Sequence, residues 1–130
     1  MSERATREVV TKDSSRSVAG TVDHLTELLA AQGVTVFAVV DHSAEARAHG
    51  LTLRETRVVI FGSPEAGTPV MEAAPLAALD LPLKILIWAD GQQTKISYNP
   101  PAVLAARYGL SDELAGRLAA IERLTDALAR

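Results

Sequence analysis

Residues 56–89 constrain the fold of this chain more than any other stretch, because two strongly apolar runs flank a heavily punctuated segment. The runs, residues 58–61 and 83–88, have the length and the Val, Ile and Leu content of buried strands. Prolines and glycines recur between them, and each fixes or frees a backbone dihedral. The pattern predicts two strands joined by a connection of defined shape, and a site there if the chain has one.

The remaining periodicities predict further strands and several helices. Strands are expected at residues 6–12, 34–41, 57–62, 83–89 and 93–98, the second of them covered on both faces. Helices are expected after residue 17, at 44–49, within 68–79, at 100–108 and from 111 onward. The predicted fold is α+β: a mainly antiparallel sheet with helices packed on one face, in the order β-α-β-β-β-β-α with short extra helices.

Local signals predict where these elements begin and end. Ser17 and Ser43 are the expected caps of the first two helices, and Asn99 is expected to cap the helix at 100–108. Asp90-Gly91 predicts a primed hairpin turn. The last helix is expected to be continuous, with a single apolar stripe formed by Leu114, Leu118, Ile121, Leu124 and Leu128.

Composition narrows the class of protein. At 130 residues the chain is expected to be one domain, spanning residues 1–130, and its 16 acidic and 13 basic residues form no basic stripe. Neither nucleic acid nor a membrane surface is therefore an expected partner. Cysteine is absent, no signal peptide is visible, and no apolar run approaches the roughly 18 residues of a membrane span. A bacterial cytoplasmic protein is the expectation.

The strand at 83–89 is apolar on both sides, which needs an explanation. Ile85 and Ile87 point to one face of the sheet, while Leu86 and Trp88 point to the other. Two interpretations remain open for the second face. The 64–82 segment covers it, or a second copy of the protein does, because large apolar patches mark interfaces. The second interpretation predicts a homodimer.

Several motifs together resemble a known family. They are Asp41-His42-Ser43-Ala44, Phe61-Gly62-Ser63-Pro64, Gly67-Thr68, Met71, Pro75 and the run 79–83. The chain resembles the domain of unknown function 302 family over nearly its whole length, with Ser63 where Asn is common in the family. The resemblance implies a fold like that of the TATA-box-binding protein. It does not imply DNA binding, because a fold does not carry its function, and the family's activity is not established.

His42 is the leading candidate for chemistry, since it follows a strand and its imidazole can serve as acid, base or ligand near neutral pH. The alternative is a structural histidine that hydrogen-bonds the 62–67 turn. Asp80 is expected to orient His42 if the two loops converge. Asp41-His42-Ser43 is not a catalytic triad, because neighbouring strand residues face opposite sides of a sheet. No catalytic residue, metal site or cofactor is assigned.

The turn at 62–68 has two interpretations. Small-residue loops can present backbone amides to an anion, but Glu65 would repel a phosphate. The other interpretation is a turn whose glycines meet dihedral demands. Met71 is expected to be core filler rather than a metal ligand.

Three functions stay open on these residues. The first is a small ligand-binding or interaction domain that forms a homodimer, with a site between the His42 loop and the 62–72 segment. The predicted site residues are His42, Gly62, Ser63, Pro64, Gly67, Thr68, Met71 and Asp80. The alternative is an enzyme in which His42 is the acid/base beside Asp80 or Glu72. A domain that acts only by docking to another protein also stays open.

Overall fold

The computed structural model describes residues 8–130. Its strands are β1 (Val10–Ser14), β2 (Thr35–Asp41), β3 (Thr56–Gly62), β4 (Leu83–Asp90) and β5 (Gln93–Tyr98). Its α-helices are α1 (Val18–Ala31), α2 (His42–Ala48), α3 (Pro64–Ala73), α4 (Pro101–Tyr108), α5 (Asp112–Arg117) and α6 (Ala120–Ala129), and a 3₁₀ helix spans Pro75–Asp80. The predicted first strand begins at residue 6, and its first two residues lie outside the described part.

The five strands form one open sheet in the order β1-β5-β4-β3-β2, and every neighbouring pair is antiparallel. This arrangement confirms the predicted α+β class and the mainly antiparallel sheet. It also gives the sheet two distinct ends. At the Gly62 end, β3 finishes at Gly62 and β4 begins at Leu83; at the His42 end, β2 finishes at Asp41 and β3 begins at Thr56.

Helices α1 and α6 pack on one face of the sheet, as predicted. The Ser17 hydroxyl accepts a hydrogen bond from the amide of Gly20, 3.0 Å away, which caps α1. The stripe predicted for α1 is buried against the central strands. The resulting core contains Val18, Val22, Leu25, Leu29, Val59, Phe61, Ile85, Ile87, Ile96, Tyr98, Ile121, Leu124 and Leu128.

A second cluster of buried residues lies at the Gly62 end, formed by Val70, Ala77, Leu104 and Leu118. It explains why the prediction of one continuous last helix is wrong. The chain ends α5 at Arg117 and starts α6 at Ala120. Leu118, between the two helices, packs in the second cluster, whereas Ile121 packs in the first. One straight helix would have placed both side chains on the same stripe.

The prediction that β2 is covered on both faces is wrong. β2 lies at the edge of the sheet, where Phe37 is 56% exposed and Val39 is 43% exposed. The register with β3 shifts between Val36 and Ala38, which marks a bulge at Phe37. A β-branched run has the same composition at an edge as in the centre, so position in the sheet decided its exposure.

Several predicted boundaries shift by a few residues. Asp41, not Ser43, caps α2, and Pro100, not Asn99, precedes the first turn of α4. Helix α3 begins at Pro64, so most of the expected 62–68 turn is helical. The hairpin prediction holds: Asp90 pairs with Gln93, and Gly91 has a positive φ of 62° at the first turn position, as a type II′ turn requires.

The 64–82 segment does not cover the second face of the sheet. Its buried residues pack in the second cluster and against Leu83, on the same side of β4 as the core residues Ile85 and Ile87. The opposite side, which we call the open face, carries Thr56, Val58 and Ile60 from β3 and Lys84, Leu86 and Trp88 from β4. The interpretation that the segment forms a cover is therefore wrong.

Candidate functional site

The structure separates the two turns from which the predicted site was to be built. In the antiparallel pairing of β2 with β3, Thr35 faces Gly62 and Asp41 faces Arg57. Thr35 and Asp41 are the ends of a seven-residue strand, and the six steps between them span about 20 Å at about 3.3 Å per residue. His42 therefore lies at the opposite end of the sheet from the 62–72 segment, and the prediction of a site shared by the two is wrong.

At the His42 end, hydrogen bonds join the end of β2 to the start of β3. Ser43 is buried, and its Oγ donates to Asp41 Oδ1 at 2.6 Å and accepts from the amide of Thr56 at 3.3 Å. Asp41 also accepts from the amide of Ala44 at 2.9 Å and lies 3.4 Å from Arg57 Nε. These contacts, led by the Ser43 hydroxyl, lower the pKa of Asp41. They fasten α2 to the sheet.

Strand alternation is not what prevents Asp41, His42 and Ser43 from forming a catalytic triad. Asp41 and Ser43 do touch, because the helix begins at His42 and strand alternation stops there. The His42 side chain is exposed and lies outside that bond. The structural role predicted for His42 is wrong as well, since the 62–67 turn is at the other end. Neither Asp80 nor Glu72, both at the Gly62 end, reaches His42, so the arrangement required by the enzyme alternative is not formed.

Asp80 holds two elements together instead of orienting His42. Its carboxylate accepts hydrogen bonds from the Tyr108 hydroxyl and from Arg107 Nη1, the latter at 2.9 Å. The Tyr108 bond is the largest cause of the lowered pKa of Asp80, with burial opposing it and Arg107 adding to it. The pair of bonds ties the 3₁₀ helix to α4 beside the second cluster.

A cleft of about 230 Å³ opens at the Gly62 end, between α3, the bulge of β2 and the start of β4. Six of the eight predicted site residues line it: Gly62, Ser63, Pro64, Gly67, Thr68 and Met71. The structure brings these six together, whereas His42 and Asp80 lie elsewhere. Ligand binding by these six residues stays a prediction.

Sequence reasoning missed the other half of the cleft wall. The missed residues are Phe37, Ala66, Leu81, Pro82, Leu83 and Leu118. A signal existed for residues 81–83, which belong to the run that carried the family resemblance. Phe37 had no local signal, because only the position of β2 beside β3 brings its ring to Gly62. A Cβ at Gly62 would lie 3.5 Å from that ring and 3.4 Å from Pro82 Cβ, so Gly62 allows the close packing of the cleft floor.

Several hydrogen-bond donors at the start of α3 are engaged within the chain. The amides of Ala66 and Gly67 both donate to the carbonyl of Ser63, at 3.1 and 2.9 Å. The Ser63 hydroxyl donates to Glu65 Oε2 at 2.6 Å, and this bond lowers the pKa of the Glu65 carboxyl. Two of the amides and the hydroxyl of the 62–68 stretch are therefore already engaged within the chain, and the carboxylate of Glu65 lies beside them, which argues against an anion cradle.

Two findings concern the whole described part of the chain. Residues 8–130 contain no group of three or more His, Asp or Glu side chains placed to hold a metal ion. No helix within the same range has the length and apolar content needed to cross a membrane.

Comparison with known proteins identifies the family. The model of the family described as Domain of unknown function DUF302 matches residues 10–130. The chain belongs to the DUF302 family. Its fold is that of the crystal structure of an uncharacterized conserved DUF302 protein from Bacillus stearothermophilus, with a TM-score of 0.79 at 22% identity over 94% of this chain and 95% of that one. The likeness to the TATA-box-binding protein stays a prediction.

Curated proteins similar to this DUF302 chain are named as fluoride channels. It is 40% identical over 110 residues to a protein of Brucella suis biovar 1 (strain 1330) named Fluoride-specific ion channel FluC 1. A protein of Brucella abortus biovar 1 (strain 9-941) with the same name matches equally well. The match covers 82% of this chain but only 43% and 41% of the two relatives, so the chain spans about four-tenths of their length.

Proposed function

We propose that this DUF302 protein is a small ligand-binding domain whose site is the cleft at the Gly62 end. The observation that carries the proposal is the cleft itself, which has a volume of about 230 Å³, is walled by Phe37, Met71 and Leu118, and is lined also by the hydroxyl-bearing residues Ser63 and Thr68. Ligand sites are typically apolar hollows with a few polar groups that orient the ligand. None of the described lining residues is ionisable, which favours binding over acid/base chemistry.

The test is a ligand screen with a filled-cleft control. Protein purified from cells is examined by native mass spectrometry for a retained molecule, and its melting temperature is measured across a metabolite panel. Gly67→Leu places a side chain in the cleft and should abolish any stabilisation. Leu51→Ala, at an exposed position near the His42 end, should leave it intact. A panel without a hit and no retained molecule would remove the basis of the proposal.

We propose further that the protein is a homodimer that associates through the open face. Antiparallel sheets with one solvated face usually carry polar residues there, yet Val58, Ile60, Leu86 and Trp88 form an apolar block on β3 and β4. Light scattering should give twice the 13.8 kDa of one chain. Leu86→Lys should halve that mass, whereas Leu51→Lys should not. A monomeric wild type at high micromolar concentration would refute the dimer.

The absence of cysteine supports a cytoplasmic location in a bacterial cell, because a reducing compartment gives disulfides no role. We include this location in the proposal. Fractionation of cells that express the tagged protein is the check, and recovery in the membrane or periplasmic fraction would contradict it.

A second candidate function is that of an accessory domain for a fluoride channel. The observation behind it is the match to about four-tenths of each Brucella protein named as such a channel. Fluoride itself does not suit the cleft, because a small anion needs several donors and the Ser63 hydroxyl already donates to Glu65. The role would be regulation of a partner.

Fluoride efflux from vesicles tests this candidate. The Brucella suis protein is compared with a variant that lacks the matching stretch, with and without added DUF302 chain. We expect the truncated protein to conduct at an altered rate and the added chain to restore it. Identical efflux in all four samples would eliminate the accessory role.

A further inference from the structure

We infer that the cleft takes a neutral molecule with a single aromatic ring, held between Phe37 and Met71; this inference rests on the proposed function. Volume sets the size of the ligand. An apolar cavity of about 150 Å³ accepts benzene, so about 230 Å³ at the Gly62 end accommodates one ring with a small substituent. A second fused ring system or a long acyl chain would extend into solvent.

The walls favour an aromatic ring. Phe37 stands on the bulge of the edge strand and is 56% exposed, which is unusual for a large aromatic side chain that also borders a cavity. Aromatic rings pair with each other in offset or edge-to-face arrangements. Met71, on the α3 side, supplies a polarizable sulfur, which makes favourable contacts with ring edges. Together the two side chains match a flat π system better than a saturated ring.

Gly67 is a second residue whose type is consistent with a cleft that stays open to a ligand. It lies inside α3, where glycine is less favourable than alanine. Its φ is not positive, and a Cβ there would meet only Met71 Cε, at an ordinary contact distance of 3.8 Å. Neither backbone conformation nor packing therefore requires glycine. Since Gly67 lines the cleft, an added methyl group would take up ligand volume.

Charge and hydrogen bonding define the rest of the ligand. No described lining residue is cationic, and Glu65 beside Ser63 disfavours an anion. The Ser63 hydroxyl donates its proton to Glu65, so it meets a ligand only as an acceptor. A ring bearing a hydroxyl or N–H donor suits this arrangement. The ligand class is therefore phenol-like or aniline-like rather than carboxylated.

The experiment compares phenol, cyclohexanol and benzoate by NMR titration of the ¹⁵N-labelled protein. We expect phenol to saturate, with the largest amide shifts in residues 62–71, cyclohexanol to bind about tenfold more weakly, and benzoate not to bind. Cyclohexanol bound as tightly as phenol in the same cleft would refute the aromatic inference and leave the proposed function standing. If none of the three probes nor any member of the metabolite panel shifts these amides, both fail.

Two variants test the assigned residues. Gly67→Ala should melt at a higher temperature than the wild type, because alanine is more favourable than glycine inside a helix. It should bind phenol about tenfold more weakly, because the added methyl group occupies part of the cleft. Phe37→Leu should weaken phenol binding and leave cyclohexanol binding within about twofold. Leu51→Ala is the matched surface control. Unchanged phenol affinity in both Gly67→Ala and Phe37→Leu would overturn the inference.

Discussion

Replacing Ser43 with alanine should reveal how much of the stability depends on the junction between β2, α2 and β3. The side chain is 2% exposed and makes two hydrogen bonds, one donated to the Asp41 carboxylate at 2.6 Å and one accepted from the Thr56 amide at 3.3 Å. Alanine removes the hydroxyl, and no aliphatic group is lost. The change isolates the polar contribution.

The expected cost follows from these two bonds. A hydrogen bond to a charged group contributes about 1.5–3 kcal/mol, and the longer bond from Thr56 contributes less. Asp41 keeps the amide of Ala44 and its contact with Arg57, which offsets part of the loss. We expect the free energy of unfolding to fall by about 2 kcal/mol. At about 2.1 cal/mol/K per residue, this lowers the melting temperature of the 130-residue chain by about 7 °C.

Calorimetry and urea titration at neutral pH measure the effect, with Ser63→Ala as the matched control. Ser63 also donates to a carboxylate, Glu65 Oε2, at the same 2.6 Å, but it precedes its helix and the bond is exposed. Its removal should cost less than about 0.5 kcal/mol. Equal losses for the two variants, or a loss below about 0.5 kcal/mol for Ser43→Ala, would show that the buried junction does not hold α2 to the sheet.

Three further changes test other parts of the structure. Asp80→Asn should lower the free energy of unfolding by about 1 kcal/mol at pH 7. Folding lowers the pKa of Asp80 from 3.8, so its stabilising contribution is present above pH 3.8 and is lost as the pH falls through the pKa of the folded protein. The stabilities of wild type and variant should therefore converge in acid. Leu104→Ala should cost about 2–4 kcal/mol in urea unfolding, since Leu104 is 4% exposed in the second cluster. Val39→Lys should change the free energy of unfolding by less than about 0.5 kcal/mol, whereas a larger loss would contradict the edge position of β2.

Sequence reasoning succeeded where the signal was local. The cap at Ser17, the apolar stripe of α1 and the turn at Gly91 each depend on a few neighbouring residues, and all three are present. It failed where the answer depended on distant partners. Nothing local distinguishes β2 as an edge strand, and nothing local shows that Leu118 leaves the α6 stripe for the second cluster.

The predicted site between the His42 loop and the 62–72 segment failed because of strand direction. An antiparallel β2–β3 pair necessarily sets the end of β2 beside the start of β3, so His42 and Gly62 had to lie at opposite ends. The predicted sheet already contained that consequence. The six predicted cleft residues lie together because residues 62–71 are contiguous in the chain, at the end of β3 and in α3. Phe37 and Leu118 come from other elements and could be assigned only from coordinates.

Leu118 connects the cleft to residues that do not line it. The same side chain borders the cavity and packs with Leu104 and Val70 at the junction of α5 and α6. A bound molecule that immobilises Leu118 would slow local opening of α4 and α5, whose amides lie outside the cavity lining. Hydrogen–deuterium exchange in the C-terminal third of the chain would then report occupancy from a distance, and the C-terminal helices would sense the ligand without touching it.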